Sequence, residues 1–181
     1  DIINDLLDMS QLESGNYKIN LAKDSISKVI EDTCTILNNQ ASRKDLLLST
    51  EYPADLPDLM IDKIRLKQIL INLTGNAIKF TDNGFVKISL NWQYSSEEKT
   101  QADVTIAIQD SGVGIAKNDQ EKVFKDFIQA DNQGDQLTKG TGLGLAICKK
   151  LLKLMNGTLS LESEVNVGST FTLRLNKIDL S

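Results

Sequence analysis

Apolar residues recur at two distinct periods along the chain. Between 68 and 80, QILINLTGNAIKF places Ile69, Leu70, Leu73, Ala77 and Ile78 three and four apart, the spacing that buries one face of a helix. Asp62 caps this helix, which is predicted to run to Phe80. The same period marks 1–14, with Ile2, Ile3, Leu6, Leu7, Met9 and Leu12, and Gly15 is placed to stop it. A helix capped by Ser25 or Ser27 is expected to reach about Lys44, with Val29, Ile30, Thr33, Ile36 and Leu37 inward. Thr141–Met155 forms another, with Leu145, Ile147, Cys148, Leu151, Leu152 and Met155 available for packing. A period of two marks Phe85–Tyr94 at Val86, Ile88, Leu90 and Trp92, and Ala102–Gln109 at Val104, Ile106 and Ile108. The polar run SSEEKTQ joins these strands as an antiparallel hairpin. Thr158–Ser163 and Ser169–Leu175 make a closing hairpin around Asn166–Gly168. Shorter strands are expected at Tyr17–Leu21 and Leu46–Glu51, with a turn between Pro53 and Pro57 and a short helical stretch around Asp119–Phe127. This order implies an α+β fold, a two-layer α/β sandwich. Its sheet is mixed and mostly antiparallel, with helices on one face and a short helix in front.

Fourteen or so residues make a marginal lone helix in water. The N-terminal helix is therefore expected to pack on a partner helix, in this or a second subunit, with a core position in the same domain as the alternative. The 181 residues suffice for one domain and a short appendage, and the abrupt start inside a helical pattern suggests a piece of a longer protein. No run approaches the roughly 18 apolar residues of a membrane span. The net charge of −5 argues against nonspecific nucleic-acid binding, which depends on many lysine and arginine contacts. It leaves room for one anionic ligand held by local donors, since distant charges are screened beyond about 8 Å. The chain contains no histidine, which removes Ser-His triads and imidazole metal sites. Cys34 and Cys148 are expected as small core residues in a reducing compartment.

Three stretches carry candidate chemistry. On the central helix Asn72, Asn76 and Lys79 stand at i, i+4 and i+7 and so share a face. An amide oxygen can ligate a hard cation and a lysine can meet a phosphate, although a solvated polar face gives the same pattern. KGTGLGLAI, 139–147, is a glycine-rich loop opening into a helix, where free N–H groups and the dipole favour a phosphate. It is not a Walker A motif, which needs GxxxxGK[ST]. DSGVGI, 110–115, follows a strand and mimics part of a dinucleotide fingerprint. That fingerprint belongs to parallel strands with helical crossovers, and hairpins surround it here.

Taken together, NLTGNAIKF (72–80), DSGVGI (110–115), FKDF (124–127) and GTGLGL (140–145) stand in an order that resembles the asparagine, first glycine, phenylalanine and second glycine boxes of sensor histidine kinases. VGSTFTLRL, 167–175, is similar to that family's closing strand. The resemblance spans about 1–175 and implies a Bergerat-type ATP-binding fold, shared with gyrase-, chaperone- and mismatch-repair-type ATPases. It implies 1–15 as the end of a dimerisation and phosphoacceptor hairpin and 16–178 as the catalytic ATP-binding domain.

By this resemblance Asp110 accepts a hydrogen bond from the adenine amino group, while Gly112 and Gly114 let the backbone pass the base. Asn76 ligates Mg²⁺ on the phosphates, Asn72 supports it, and Lys79 meets a phosphate. Ile115, Lys139, Gly140, Thr141, Gly142, Leu143, Gly144 and Leu145 belong to the nucleotide-binding boxes. Thr170 reaches the adenine through water. Phe124 and Phe127 anchor the segment between the glycine boxes, and Arg65 is structural. Asn72 stands where hydrolysing members carry a glutamate base, which favours phosphoryl transfer to protein over hydrolysis.

The implied cofactors are ATP and Mg²⁺. The implied partners are a phosphoacceptor dimerisation domain, a response-regulator receiver domain and a second copy in the full-length protein, with no nucleic acid. The implied setting is a cytoplasmic domain of a membrane-associated sensor. With no histidine the chain cannot phosphorylate itself as the family does. DNQGDQLTKG keeps Lys139 as its one basic residue, and Asn166 replaces a common glycine. A non-catalytic nucleotide-binding or assembly module is the alternative, with a dinucleotide-binding enzyme and a chaperone-type ATPase behind it.

Overall fold

A computed structural model describes residues 2–125 and 142–180. The main sheet has five strands: β2 (Leu47–Glu51), β4 (Phe85–Tyr94), β5 (Gln101–Asp110), β7 (Gly168–Asp179) and β6 (Gly157–Glu164), side by side in the order β2-β4-β5-β7-β6. β2 runs parallel to β4, and every other pairing is antiparallel. The sheet is thus mixed and mostly antiparallel. Because both neighbours of β5 are antiparallel to it, the DSGVGI turn is not part of a parallel dinucleotide-binding unit.

Against one face of this sheet lie α2 (Ile26–Arg43), α3 (Lys63–Lys79) and α5 (Gly144–Leu154). The core between the layers is mostly apolar, with Thr33 of α2 and Thr74 of α3 buried in it. Leu66, Ile69, Leu70 and Leu73 of α3 meet Ile88 and Leu90 of β4, Val104, Ile106 and Ile108 of β5, and Leu173 and Leu175 of β7, all 2% exposed or less. Each such side chain removed from water contributes about 1.5–3 kcal/mol. The opposite face of the sheet carries Lys87, Thr105, Thr172 and Arg174, as alternation requires.

Local chemistry sets the ends of the elements. Ser25 caps α2, accepting from the Lys28 N–H, and Asp62 caps α3, accepting from the Arg65 N–H at 3.1 Å. The Asp62 carboxylate also takes the Asn20 N–H at 2.9 Å. That bond accounts for one departure from expectation. Tyr17–Leu21 is irregular, and a small two-stranded sheet begins only beyond it, pairing β1 (Ala22–Asp24) with β3 (Leu59–Ile61). Three residues squeezed between Pro57 and the Asp62 cap gave β3 no periodicity to read. Ile36, expected inward, is 52% exposed, because α2 buries a narrow stripe through Val29, Ile30, Thr33 and Leu37. Cys148 is buried and Cys34 half-buried, both as free thiols.

α1 (Ile2–Glu13) packs one part of its stripe on α5 and α3 of its own chain. Met9 is buried in the core cluster, and Lys150 of α5 reaches both its sulfur and Glu13. Asp8 accepts from Gln68 Nε2 at 2.6 Å on α3 and faces Arg65 at 3.9 Å. Ile3, Leu6 and Leu7, farther along the same stripe, stay exposed. No described helix is long and apolar enough to cross a membrane.

Candidate nucleotide site

α3 presents Asn72, Asn76 and Lys79 along its partly exposed side, while Leu73, Thr74, Ala77 and Ile78 take the core side. Asn76 Nδ2 donates to Asn72 Oδ1 at 3.4 Å. The bond spends the nitrogen of Asn76 and leaves its Oδ1 as an acceptor, the donor type a hard cation prefers. Gly144, the first residue of α5, is so close that a β-carbon there would stand 2.4 Å from Asn72 Nδ2. A methyl group there would have to push the Asn72 amide aside, so glycine lets the start of α5 lie against the asparagine face as it stands. No side chain caps α5, and Gly142 just before it takes φ 70°, which keeps the helix from starting earlier. Leu143 is buried and Leu145 partly so, anchoring this turn to the core. Lys79 ends α3, with its ammonium 5.2 Å from the Phe80 ring centre.

Asp110 ends β5 on the helix-facing side and is 8% exposed. Its Oδ1 accepts the Gly112 N–H at 2.8 Å and the Ser169 N–H at 3.3 Å. Oδ2 takes no hydrogen bond among the described residues, so an oriented acceptor on a largely buried side chain is left for a ligand donor. Burial pushes the Asp110 carboxyl above the usual range, and the two N–H donors partly offset this. Gly112 and Gly114 are needed for close approach. A β-carbon on Gly112 would lie 2.4 Å from the Phe80 carbonyl oxygen, and one on Gly114 2.0 Å from that of Glu164. Ile115 closes the turn, its N–H donating to Ser163 Oγ at 2.7 Å.

Thr170 is not beside Asp110. The β5–β7 register sets Asp110 opposite Ser169 and Gln109 opposite Thr170, which puts Thr170 on the face away from the helices. Ser169 holds the place expected of Thr170. It is 7% exposed, and its hydroxyl pairs with Ser163 Oγ at 2.8 Å. Sequence reasoning missed both serines, although parity could have found them: Ser169 alternates in step with Phe171, Leu173 and Leu175, whereas Thr170 does not. Ser163 also donates to the Gly168 carbonyl at 3.0 Å, so one hydroxyl joins the end of the DSGVGI turn to the start of β7.

Phe124 packs edge-on against Phe171 at 6.2 Å, with the Lys149 ammonium 5.3 Å from its ring centre, so it rests on the core. Arg65 lies over the Tyr17 ring at 4.7 Å and donates to Gln68, a structural role. Phe127, Lys139, Gly140 and Thr141 lie outside the described residues. Three segments distant in sequence thus converge: the asparagine face, the Asp110 turn and the uncapped start of α5.

Residues 61–178 match the family model described as histidine kinase-, DNA gyrase B- and HSP90-like ATPase. The chain belongs to this family. Over 181 residues it is 40% identical to the signal transduction histidine-protein kinase BarA of Escherichia coli K12, covering 99% of this chain and 19% of that protein. It is 34% identical over 177 residues to hybrid signal transduction histidine kinase K of Dictyostelium discoideum, covering 94% of this chain and 15% of that one. The chain therefore spans a fifth or less of these curated relatives. Full-length ShkA, crystallised in complex with AMPPNP, superposes with a TM-score of 0.86 at 27% identity, over 99% of this chain and 36% of that one. The nucleotide-free catalytic domain of ThkA gives 0.72 at 27% identity, over 87% and 95%. Within the family, the chain is an ATP-binding catalytic domain of the histidine kinase kind. Asp110 offers an acceptor at one end of the site, and the asparagine face with the start of α5 offers amides and backbone donors at the other.

Proposed function

We propose that this domain binds Mg-ATP between the Asp110 turn, the Asn72–Asn76–Lys79 face and the start of α5, and donates the γ-phosphoryl group to a histidine outside these 181 residues. The observation that carries the reading is the Asp110 carboxylate, one oxygen locked by two backbone N–H groups and the other left to accept from an exocyclic amine. Ser169 stands beside it, positioned by Ser163, to order the polar edge of the base. Gly112 and Gly114 keep side chains out of the space the base needs. At the other end, Asn76 Oδ1, oriented by the Asn72 bond, would hold Mg²⁺, and the fit rests on that uncommitted oxygen. A cation held there would supply neutralisation of the charge that develops in transfer. Lys79 and the N–H groups of α5 hold the phosphates, and Lys139, Gly140 and Thr141 lead into that helix.

Phosphoryl transfer demands positioning and charge neutralisation more than covalent chemistry from the protein. An amide at 72 orients but cannot take a proton from water at neutral pH, so hydrolysis is slow, well under about one turnover per second. The acceptor is a histidine on a dimerisation hairpin of which residues 1–15 form the end, with 16–178 as the catalytic unit. The exposed Ile3, Leu6 and Leu7 fit the partner helices of such a hairpin in a homodimer. A receiver domain of a response regulator takes the phosphoryl group next. The setting is the cytoplasmic side of a membrane-associated sensor.

Calorimetric titration with ADP and with AMPPNP, each with and without Mg²⁺, tests the reading on wild type, Asp110→Ala and Asn76→Ala. Loss of binding in Asp110→Ala, and loss of only the Mg²⁺ benefit in Asn76→Ala, is the expected result. A wild type that binds neither nucleotide would overturn it.

A further inference from the structure

Lys44 lies outside every motif discussed so far, at the C-cap of α2. Its backbone is pinned there. The N–H groups of Lys44 and Leu46 both reach the Ala41 carbonyl, at 3.1 and 3.0 Å, and Asp45 between them takes a left-handed φ of 52°. From this fixed root the side chain crosses to the end of α3. There Nζ donates to the carbonyls of Ile78 at 3.1 Å, Lys79 at 2.9 Å and Thr81 at 3.0 Å, with the Asp82 carboxylate at 3.5 Å. A lysine has three donors, and a helix end leaves orphan carbonyls at its negative pole. Simple helix capping accounts for the bonds to Ile78 and Lys79. It does not account for Thr81, which lies beyond the helix.

Between the bonded carbonyls sits Phe80, whose own carbonyl accepts the Val113 N–H at 3.2 Å. That same oxygen is the atom a β-carbon on Gly112 would strike, and Thr81 Oγ1 lies 2.8 Å from the same point. The turn that Lys44 grips from outside is therefore the floor under the Asp110 turn. It is also the root of Lys79.

We propose that Lys44 is a positioning residue for nucleotide binding: it fixes the 78–81 turn so that the Phe80 carbonyl seats the Asp110 turn while Lys79 faces the phosphates. The proposal rests on the nucleotide-binding reading above. Lys44 itself touches no nucleotide. Its ammonium acts through backbone carbonyls, and charge-assisted bonds of this kind are about twice as strong as neutral ones.

The test compares wild type, Lys44→Met and Lys44→Arg by ADP titration, by amide hydrogen exchange at Val113 and by thermal melting. Lys44→Met keeps the length of the stem and removes the donors. It is expected to weaken ADP binding roughly tenfold, since small displacements of positioning groups are costly, and to speed exchange at Val113 while the circular dichroism spectrum is unchanged. Lys44→Arg is expected to restore most of both. A lower melting temperature with wild-type ADP affinity and wild-type protection at Val113 would show a helix cap and nothing more, and would overturn the proposal. If Lys44→Met does not fold, Lys44→Gln carries the same comparison. A wild type that fails to bind ADP removes the underlying reading and this proposal together, which separates that failure from a defect confined to Lys44.

Discussion

At the scale of single residues, the protonation of Asp110 couples binding to stability in opposite directions. Burial raises its folded-state pKa above the ordinary aspartate value, so between the two values the native state holds the proton more tightly than the unfolded chain. Stability from this group is present at the low end of that window and declines as pH rises through it. Adenine binding, on the proposed contact with Asp110, is expected to follow the opposite course. A proton on Oδ2 turns the acceptor into a donor facing a donor, so affinity for ADP should climb as the carboxyl ionises. Melting curves and ADP titrations from about pH 4 to pH 7 on wild type and Asp110→Asn check this, with both pH trends flattened in the variant. The serines give a second outcome. Ser169→Ala is expected to weaken ADP binding several-fold, about the worth of one hydrogen bond, and Thr170→Val to leave it unchanged, because Thr170 lies on the far face of the sheet. The reverse ranking, read by calorimetry, would restore the original assignment of Thr170. That assignment came from matching a motif by residue type. Strand parity, legible from Phe171, Leu173 and Leu175, is the physical criterion for the inward side, and the register of β5 against β7 adds that Ser169 stands opposite Asp110.

Elements were legible wherever a period ran long enough to outvote chance. β4 spans the predicted Phe85–Tyr94, α3 starts at its predicted cap, and the closing hairpin turns at Asn166, which takes φ 63°. Short elements were not legible. β3 has three residues and borrows its order from β1 and from the Asp62 cap. The contact between Gly144 and Asn72 joins residues 72 positions apart in sequence, and it sets how closely α5 can approach α3. Gly144→Ala improves local helix propensity by roughly 1 kcal/mol yet drives a methyl group into the Asn72 amide. The expected outcome is a loss of Mg²⁺-dependent AMPPNP affinity larger than the loss for ADP without Mg²⁺, as the asparagine face is pushed aside. Equal losses for both ligands, measured by titration, would instead mean that the substitution loosens the whole site.

For the whole molecule, the sequence by itself determined the class of fold, the order of most elements and the family, because these follow from local periods and from motifs whose spacing is carried along the chain. It also determined which residue types could do the chemistry: amides and a lysine on one helix, a carboxylate at a strand end, glycines before a helix. Tertiary structure alone decided which of these meet. It docked α1 on its own chain through Met9 and Asp8, where the apolar stripe of 1–14 allowed a partner in either subunit. It set Ser169 opposite Asp110, and it carried the ammonium of Lys44 to the carbonyls of Ile78, Lys79 and Thr81. The physical reason is common to all three. Hydrogen-bond partners and burial depend on distances between segments far apart in sequence, and local periodicity carries no information about those distances.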